Sequence, residues 1–334
     1  FLGALTEEEV EEKKSHFLEL LTSPSEDIRS RAWSTAMRLL EKGILRVEDL
    51  RARRGQFLEL LRSDDPDVRS GAWSSVDALV RAGVITREDS HAFLELLGFK
   101  DEIVRSEAWV NSVGLVDKGV LTLEELAGRK GHFLELLESD SEDVRLEAWC
   151  LTGDLIDRGV LTPEDVREKR ERFLKLLRSE RVGTCYDFKY ADINPEFPPL
   201  PGALWRAVIS FSSPLDDETA VKAWGCVKGL ITRGVLTSEE VKRMKDHFLR
   251  LLESHYGYVR PEAWRIVNEL VEMGILTLDE VRERIRSLLE ALRPEEEYNK
   301  DEELSIICLV GELASKGVLT KDEVEELCRG KGKP

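Results

Sequence analysis

Apolar residues recur along the chain at helical spacing, in two alternating kinds of run. The first places Val241, Phe248, Leu249 and Leu252 at i, i+7, i+8 and i+11, one face of a helix; Val10, Phe17, Leu18 and Leu21 repeat it. Charges such as Glu11, Glu12, Lys13 and Lys14 lie between them and form a solvated outer face. The second kind carries Val68, Ala72, Trp73, Val76, Leu79 and Val80 as its stripe. An acidic turn, Asp64-Asp65-Pro66-Asp67, separates the two. The pattern predicts helical hairpins, each made of one first helix and one second helix. The copy from Thr86 to Phe93 is four residues shorter, a loss of about one helical turn that nearly keeps the apolar phase.

Start and stop signals sharpen these elements. Thr6…Glu9, Thr122…Glu125, Thr237…Glu240, Thr277…Glu280 and Thr320…Glu323 have the form of capping boxes. In each, the hydroxyl accepts from an orphan backbone N–H and the carboxylate accepts from the N–H of the cap residue. Thr162-Pro163 puts proline at a first helical position. Arg46 replaces the threonine in one copy, so that helix is expected to start less sharply. A glycine followed by two apolar residues closes each second helix, as Gly83-Val84-Ile85 does, and is expected in the left-handed C′ position.

These glycines form a ruler. Gly3, Gly43, Gly83, Gly119, Gly159, Gly234, Gly274 and Gly317 stand 40, 40, 36, 40, 75, 40 and 43 residues apart. Trp33, Trp73, Trp109, Trp149, Trp224 and Trp264 each precede a glycine by ten residues. A period near 40 built from two helices is the mark of helical repeat architecture. The one long interval contains Asn194-Pro195 and Pro198-Pro199-Leu200-Pro201-Gly202, which cannot be helical. Residues 179–202 therefore read as an insertion at an intra-repeat turn, between repeats at 1–178 and at 203–334, either a binding element or a plug that covers a helix junction. The helical pattern is expected to resume at Ala203.

Composition narrows the function. With 49 Lys and Arg against 66 Asp and Glu, the net charge of −17 disfavours a nucleic-acid groove and favours a basic partner. No apolar run approaches the ~20 residues of a membrane span. The five cysteines, Cys150, Cys185, Cys226, Cys308 and Cys328, form no CxxC pair; those inside predicted helices read as buried free thiols, which points to a reducing, cytoplasmic setting. Gln56 is the only glutamine, and few amides beside 34% charged residues is the pattern of a hyperthermophile. The chain opens at Phe1 without methionine and within a repeat, as a fragment or processed form would.

Leu60-Leu61-Arg62-Ser63-Asp64-Asp65-Pro66-Asp67-Val68-Arg69, followed by Ala72, resembles the HEAT-repeat family. The carrying motif is the aspartate–valine–arginine start of the second helix, present at Asp27-Ile28-Arg29, Asp67-Val68-Arg69 and Asp143-Val144-Arg145. The resemblance covers roughly residues 1–178 and 203–329. It implies a structural ladder between units from Asp27, Arg29, Asp67, Arg69, Asp143 and Arg145, broken where Ala220 replaces the arginine. The recurrent tryptophan is unusual for the family. The expected fold is all-α: a right-handed α-solenoid of about seven helical hairpins plus a terminal helix, a curved rod with one non-helical insertion.

Candidate chemistry is sparse. His16, His132 and His247 recur at one repeat position, so packed helices 8–10 Å apart keep them from sharing a metal. No phosphate loop, GxSxG or Cys/His nucleophile pairing occurs, so neither cofactor nor metal is expected. All five tyrosines fall at intra-repeat turns of the C-terminal half. Tyr186, Phe188, Tyr190 and Phe197 of the insertion, with Tyr256 and Tyr258, are the candidate partner-binding residues, since tyrosine is enriched in binding hot spots. The sequence thus points to a scaffold without catalysis of its own that binds a protein or peptide. The competing reading is a HEAT-like enzyme, a chromophore lyase or base-modifying type, with its site near the insertion.

Overall fold

The structure, a computed structural model, describes residues 7–178, 215–254 and 258–291, together with Gly311, Ala314, Ser315 and Asp322. Among the described residues it is all-helical, with no strand. The chain divides into two compact units, residues 1–139 with 154–162 and residues 140–153 with 163–334.

The first unit contains α1 (Glu7–Leu20), α2 (Glu26–Glu41), α3 (Val47–Arg51), α4 (Arg54–Leu60), α5 (Pro66–Arg81), a 3-10 turn at Arg87–Asp89, α6 (Ser90–Leu96), α7 (Glu102–Asp117), α8 (Leu123–Ala127) and α9 (Lys130–Leu136). The second contains most of α10 (Glu142–Asp157), then α11 (Pro163–Arg167), α12 (Arg170–Leu176), α13 (Leu215–Thr232), α14 (Ser238–Lys242), α15 (Lys245–Leu251), α16 (Val259–Glu272) and α17 (Leu278–Ala291).

The second helices stop as the glycine spacing predicts. Gly43, Gly83, Gly119, Gly159, Gly234 and Gly274 all take φ between 69° and 76°. At each, the N–H of the following Val or Ile reaches back five residues, as Val84 does to Leu79 O at 2.9 Å, the Schellman pattern. Gly3 and Gly317 lie outside the described residues, as do Thr6 and Thr320.

The tryptophans are core residues, and Trp33, Trp109 and Trp224 carry a polar anchor that the buried indoles of Trp73 and Trp264 lack. Trp33, Trp109, Trp149, Trp224 and Trp264 are among the largest fully buried side chains. The Trp33 indole N–H donates to Leu21 O at 3.3 Å, and Trp109 to Leu97 O at 3.1 Å, each closing the last turn of its hairpin's first helix. Their rings also pack on the next repeat's phenylalanine: Trp33 on Phe57 at 5.1 Å, Trp109 on Phe133 at 5.1 Å, Trp224 on Phe248 at 5.0 Å between centroids. The same indole bond locates the interruption. Trp224 Nε1 donates to Leu177 O at 3.1 Å across 47 residues, where ordinary repeats span 12. α11, α12 and α13 thus supply the two arms of one hairpin, with residues 179–214 between them in sequence. Residues 179–202, and the helix expected from Ala203 to Phe211, lie outside the described residues.

The first helices differ from the expectation of one continuous segment. Four of them break in two: α3 and α4, α8 and α9, α11 and α12, α14 and α15. Tight i→i−3 bonds interrupt the α ladder there, as in Met244 N to Val241 O at 2.8 Å and Arg53 N to Leu50 O at 2.9 Å. Arginine side chains take up freed carbonyls: Arg54 Nη1 donates to Arg51 O at 3.2 Å and Arg170 Nη1 to Arg167 O at 2.8 Å. The apolar face survives because both pieces turn it inward; Val241 and Phe248 are fully buried on either side of the break. In the shortened copy the 3-10 turn runs directly into α6.

Capping boxes form at Thr122, Thr237 and Thr277, with Glu125, Glu240 and Glu280 accepting from the cap N–H at 2.9, 2.9 and 2.8 Å. Thr86 makes one with Asp89, at 2.9 Å. At Arg46 half of the box survives, since Asp49 Oδ2 still accepts from Arg46 N at 2.9 Å. These N3 carboxylates also receive a basic side chain from the preceding repeat. The pairs are Lys14–Asp49 at 3.2 Å, Arg54–Asp89 at 2.5 Å, Arg87–Glu125 at 2.6 Å, Arg170–Glu240 at 2.8 Å and Lys245–Glu280 at 2.5 Å.

Candidate functional site

The ladder arginines are anchored beneath the intra-repeat turns. Arg29, Arg69 and Arg145 are buried, and Arg29 and Arg69 donate to Ser23 O at 2.9 Å and Ser63 O at 2.7 Å. The acids they meet in the next repeat are glutamates: Glu59 lies 4.0 Å from Arg29, and Glu107 lies 3.0 Å from Arg69. Asp27 accepts from Arg31 at 2.9 Å on its own helix, Asp67 donates its N–H to Asp65, and Asp143 stands exposed in the first turn of α10. Arg145 pairs with Glu142 at 3.3 Å, and burial, its dominant influence, pushes its guanidinium pKa down.

Asp143 opens onto a concave feature that gathers candidate chemistry. A cavity of about 600 Å3 lies across α10, α13 and α16 near their N-terminal ends, all within the second unit. Its apolar floor comes from Leu146, Val221 and Ile266, which are buried in the core below. Asp143 and Glu147 stand on the α10 side, Lys222 in the middle, and Tyr258, Glu262 and Arg265 on the α16 side. Glu147, Lys222 and Glu262 all lie two places before a tryptophan, so repeat geometry sets an acid, a base and an acid in a row across the groove. Tyr258 precedes α16 and is 52% exposed, a large aromatic presented at the rim.

Charges inside the groove are partly matched. Lys222 bonds Glu218 at 2.7 Å, and this bond, followed by the fields of Glu218, Tyr258 and Asp143 against the cost of burial, pushes its pKa up. Arg265 pairs with Glu262 at 2.8 Å. Gly225 sits on α13 between these side chains, and a Cβ there would meet only Ile266 Cδ1 at 3.9 Å. This glycine keeps the middle of the groove low.

Of the candidate binding residues, Tyr258 is in this groove; Tyr186, Phe188, Tyr190, Phe197 and Tyr256 lie outside the described residues. The groove as a whole was not foreseen, although its signal was in the sequence: the repeat position after tryptophan holds Ser34, Ser74, Val110, Cys150, Gly225 and Arg265, and only Gly225 lacks a side chain.

One expectation is overturned. Cys150 and Cys226 form a disulfide, with Cα atoms 5.5 Å apart across a sequence separation of 76. Cys150 is exposed and lines the groove, and Cys226 is half-buried. They are not buried free thiols, because they sit on the outward edges of adjacent helices α10 and α13, within the Cα distance a bridge requires. The cysteine argument for a reducing compartment falls with them.

Among the described residues no helix is long and apolar enough to cross a membrane. Among the same residues no three His, Cys, Asp or Glu side chains are grouped as a metal site needs. No protein-family model matches the sequence, and no curated protein is similar to it. Two crystal structures titled as engineered proteins of the Northeast Structural Genomics Consortium are similar in part. One shares 16% identity at a TM-score of 0.35, covering 77% of this chain and 96% of its own. The other shares 14% at 0.33, covering 94% and 86%. Likenesses at these scores carry no argument about this chain.

Proposed function

We propose that the chain is a HEAT-like α-solenoid without catalysis of its own, and that its groove across α10, α13 and α16 binds an extended segment of a protein partner. The occupant is a segment with a basic side chain beside an apolar one. Tyr258 standing 52% exposed over a buried apolar floor is the observation that carries the reading, because a large aromatic at the rim of a concave apolar surface is a ready binding anchor. The volume, about 600 Å3, suits a few side chains rather than a folded domain. Charge argues for a basic occupant: Asp143, Glu147 and Glu262 outnumber Lys222 and Arg265 in the lining, on a chain of net charge −17.

The enzyme reading would gain from a tryptophan beside clustered carboxylates. Asp143 and Glu147 line the cavity one turn apart, whereas Trp149, Trp224 and Trp264 are buried in the core. The carboxylates serve recognition without further machinery, so the binding reading is preferred.

The test is a selection from a displayed library of random nonapeptides, followed by affinity measurement on Gly225→Leu. That side chain fills the groove floor from a helical position with room for its Cβ. Selected peptides are expected to carry Lys or Arg next to an apolar residue and to lose tenfold or more in affinity on the variant. Acidic consensus peptides, or binding indifferent to Gly225→Leu at unchanged helicity, would overturn the proposal.

A further inference from the structure

We propose that the Cys150–Cys226 disulfide is an exchangeable latch that sets the groove between a locked and a loosened state; as a regulation of the groove, it rests on the binding reading above. Three independent observations converge on this pair. First, the bond lies at the groove itself, since Cys150 lines the cavity wall. Second, it is accessible: Cys150 is exposed and Cys226 half-buried, unlike a structural disulfide sealed in a core. Third, it ties α13, the second arm of the hairpin whose arms are separated by residues 179–214, to α10 of the preceding hairpin.

The chemistry follows from the exposure. An incoming thiolate of a small dithiol, or of a thioredoxin-type CxxC protein, attacks the accessible Cys150 Sγ. The Cys150–Cys226 bond breaks, a mixed disulfide forms at Cys150, and Cys226 departs as a thiolate. The second thiol of the reductant then displaces Cys150. The protein ends as a dithiol and the reductant as its own disulfide, with two electrons and two protons transferred. Oxidation by a small-molecule disulfide runs the same steps in reverse.

The experiment uses the full chain with Cys185→Ser, Cys308→Ser and Cys328→Ser, leaving only this pair. Native protein is equilibrated in dithiothreitol redox buffers, alkylated and weighed, and amide hydrogen exchange is read in both states. Both thiols are expected to become alkylated together under native conditions, with helicity retained. Exchange should rise several-fold in residues 142–153 and 215–228 and stay unchanged in residues 26–117. Three results would each overturn the latch: alkylation only after denaturation, free thiols in protein kept oxidised throughout, or exchange in α10 and α13 indifferent to reduction. The selected nonapeptide is then titrated into both forms, with at least a fivefold difference in affinity expected. Equal affinity overturns the latch as a control on the groove. Binding in neither form counts against the groove as a peptide site, while the exchange data still decide whether the latch exists.

Discussion

Trp109 combines two roles that an aliphatic residue cannot. Its ring fills the space between one repeat and the next, and its indole N–H closes the carbonyl at the end of its hairpin's first helix. The two contributions separate by substitution. Trp149 is fully buried with its ring 5.2 Å from Phe173, so Trp149→Ala is expected to cost roughly 3–5 kcal/mol in denaturant unfolding. Trp224→Phe keeps most of the ring but leaves Leu177 O without its donor, an expected loss of about 1–3 kcal/mol. A Trp224→Phe effect near zero would show the indole bond to be incidental. Glycines give an opposite pair of signs for one and the same change. Gly119, at φ 73° with nothing near its missing Cβ, faces only backbone strain, so Gly119→Ala should cost roughly 1–2 kcal/mol. Gly225, helical and unobstructed, should gain roughly 0.5–1 kcal/mol as alanine. Urea titration of the two variants checks both, and like signs would contradict the backbone assignment. These residues were legible because each repeats at a fixed place. The disulfide was not: Cys150 and Cys226 occupy different repeat positions, and only the side-by-side placement of two helices 76 residues apart pairs them.

At the scale of elements, the sequence carried the starts and stops but not the break inside the first helices. Apolar spacing is blind to that break, because a tight turn between two short pieces leaves the same residues facing the core. Nor does spacing reveal that a capping carboxylate serves two helices at once. Glu125 accepts from Thr122 N and also from Arg87 of the preceding repeat. The Arg87 hydrogen bond, opposed by a smaller cost of burial and joined by the Thr122 amide, holds Glu125 below its ordinary value of 4.5. Glu240 and Glu280 are also held low: burial works against the shift there, and the threonine caps with Arg170 or Lys245 outweigh it. A carboxylate whose folded pKa is depressed stabilises the fold above its unfolded value and loses that contribution as pH falls through the folded one. The urea midpoint is therefore expected to be flat from about pH 7 to 5 and to decline below about pH 4.5, with a shallower decline in Glu125→Gln. A variant with the parental acid slope would uncouple this box from stability.

For the whole molecule, the question is how far a local change travels. Units that touch only their neighbours have stabilities that add as local terms, so a perturbation at one junction stays near it. The disulfide is one such local term. Bridging a separation of 76 residues is worth roughly 4–5 kcal/mol in the chain-entropy picture. In a globular domain with one core that loss would lower every amide's stability together. Here it should be confined. Cys226→Ser, compared with the oxidised parent in guanidinium-dependent hydrogen exchange, is expected to lower the opening free energies of α13 to α16 by a few kcal/mol. Those of α2 to α7 should stay within error of the parent. A uniform drop across both groups would mean that the chain folds as one cooperative block, and the additive account of its repeats would have to be abandoned.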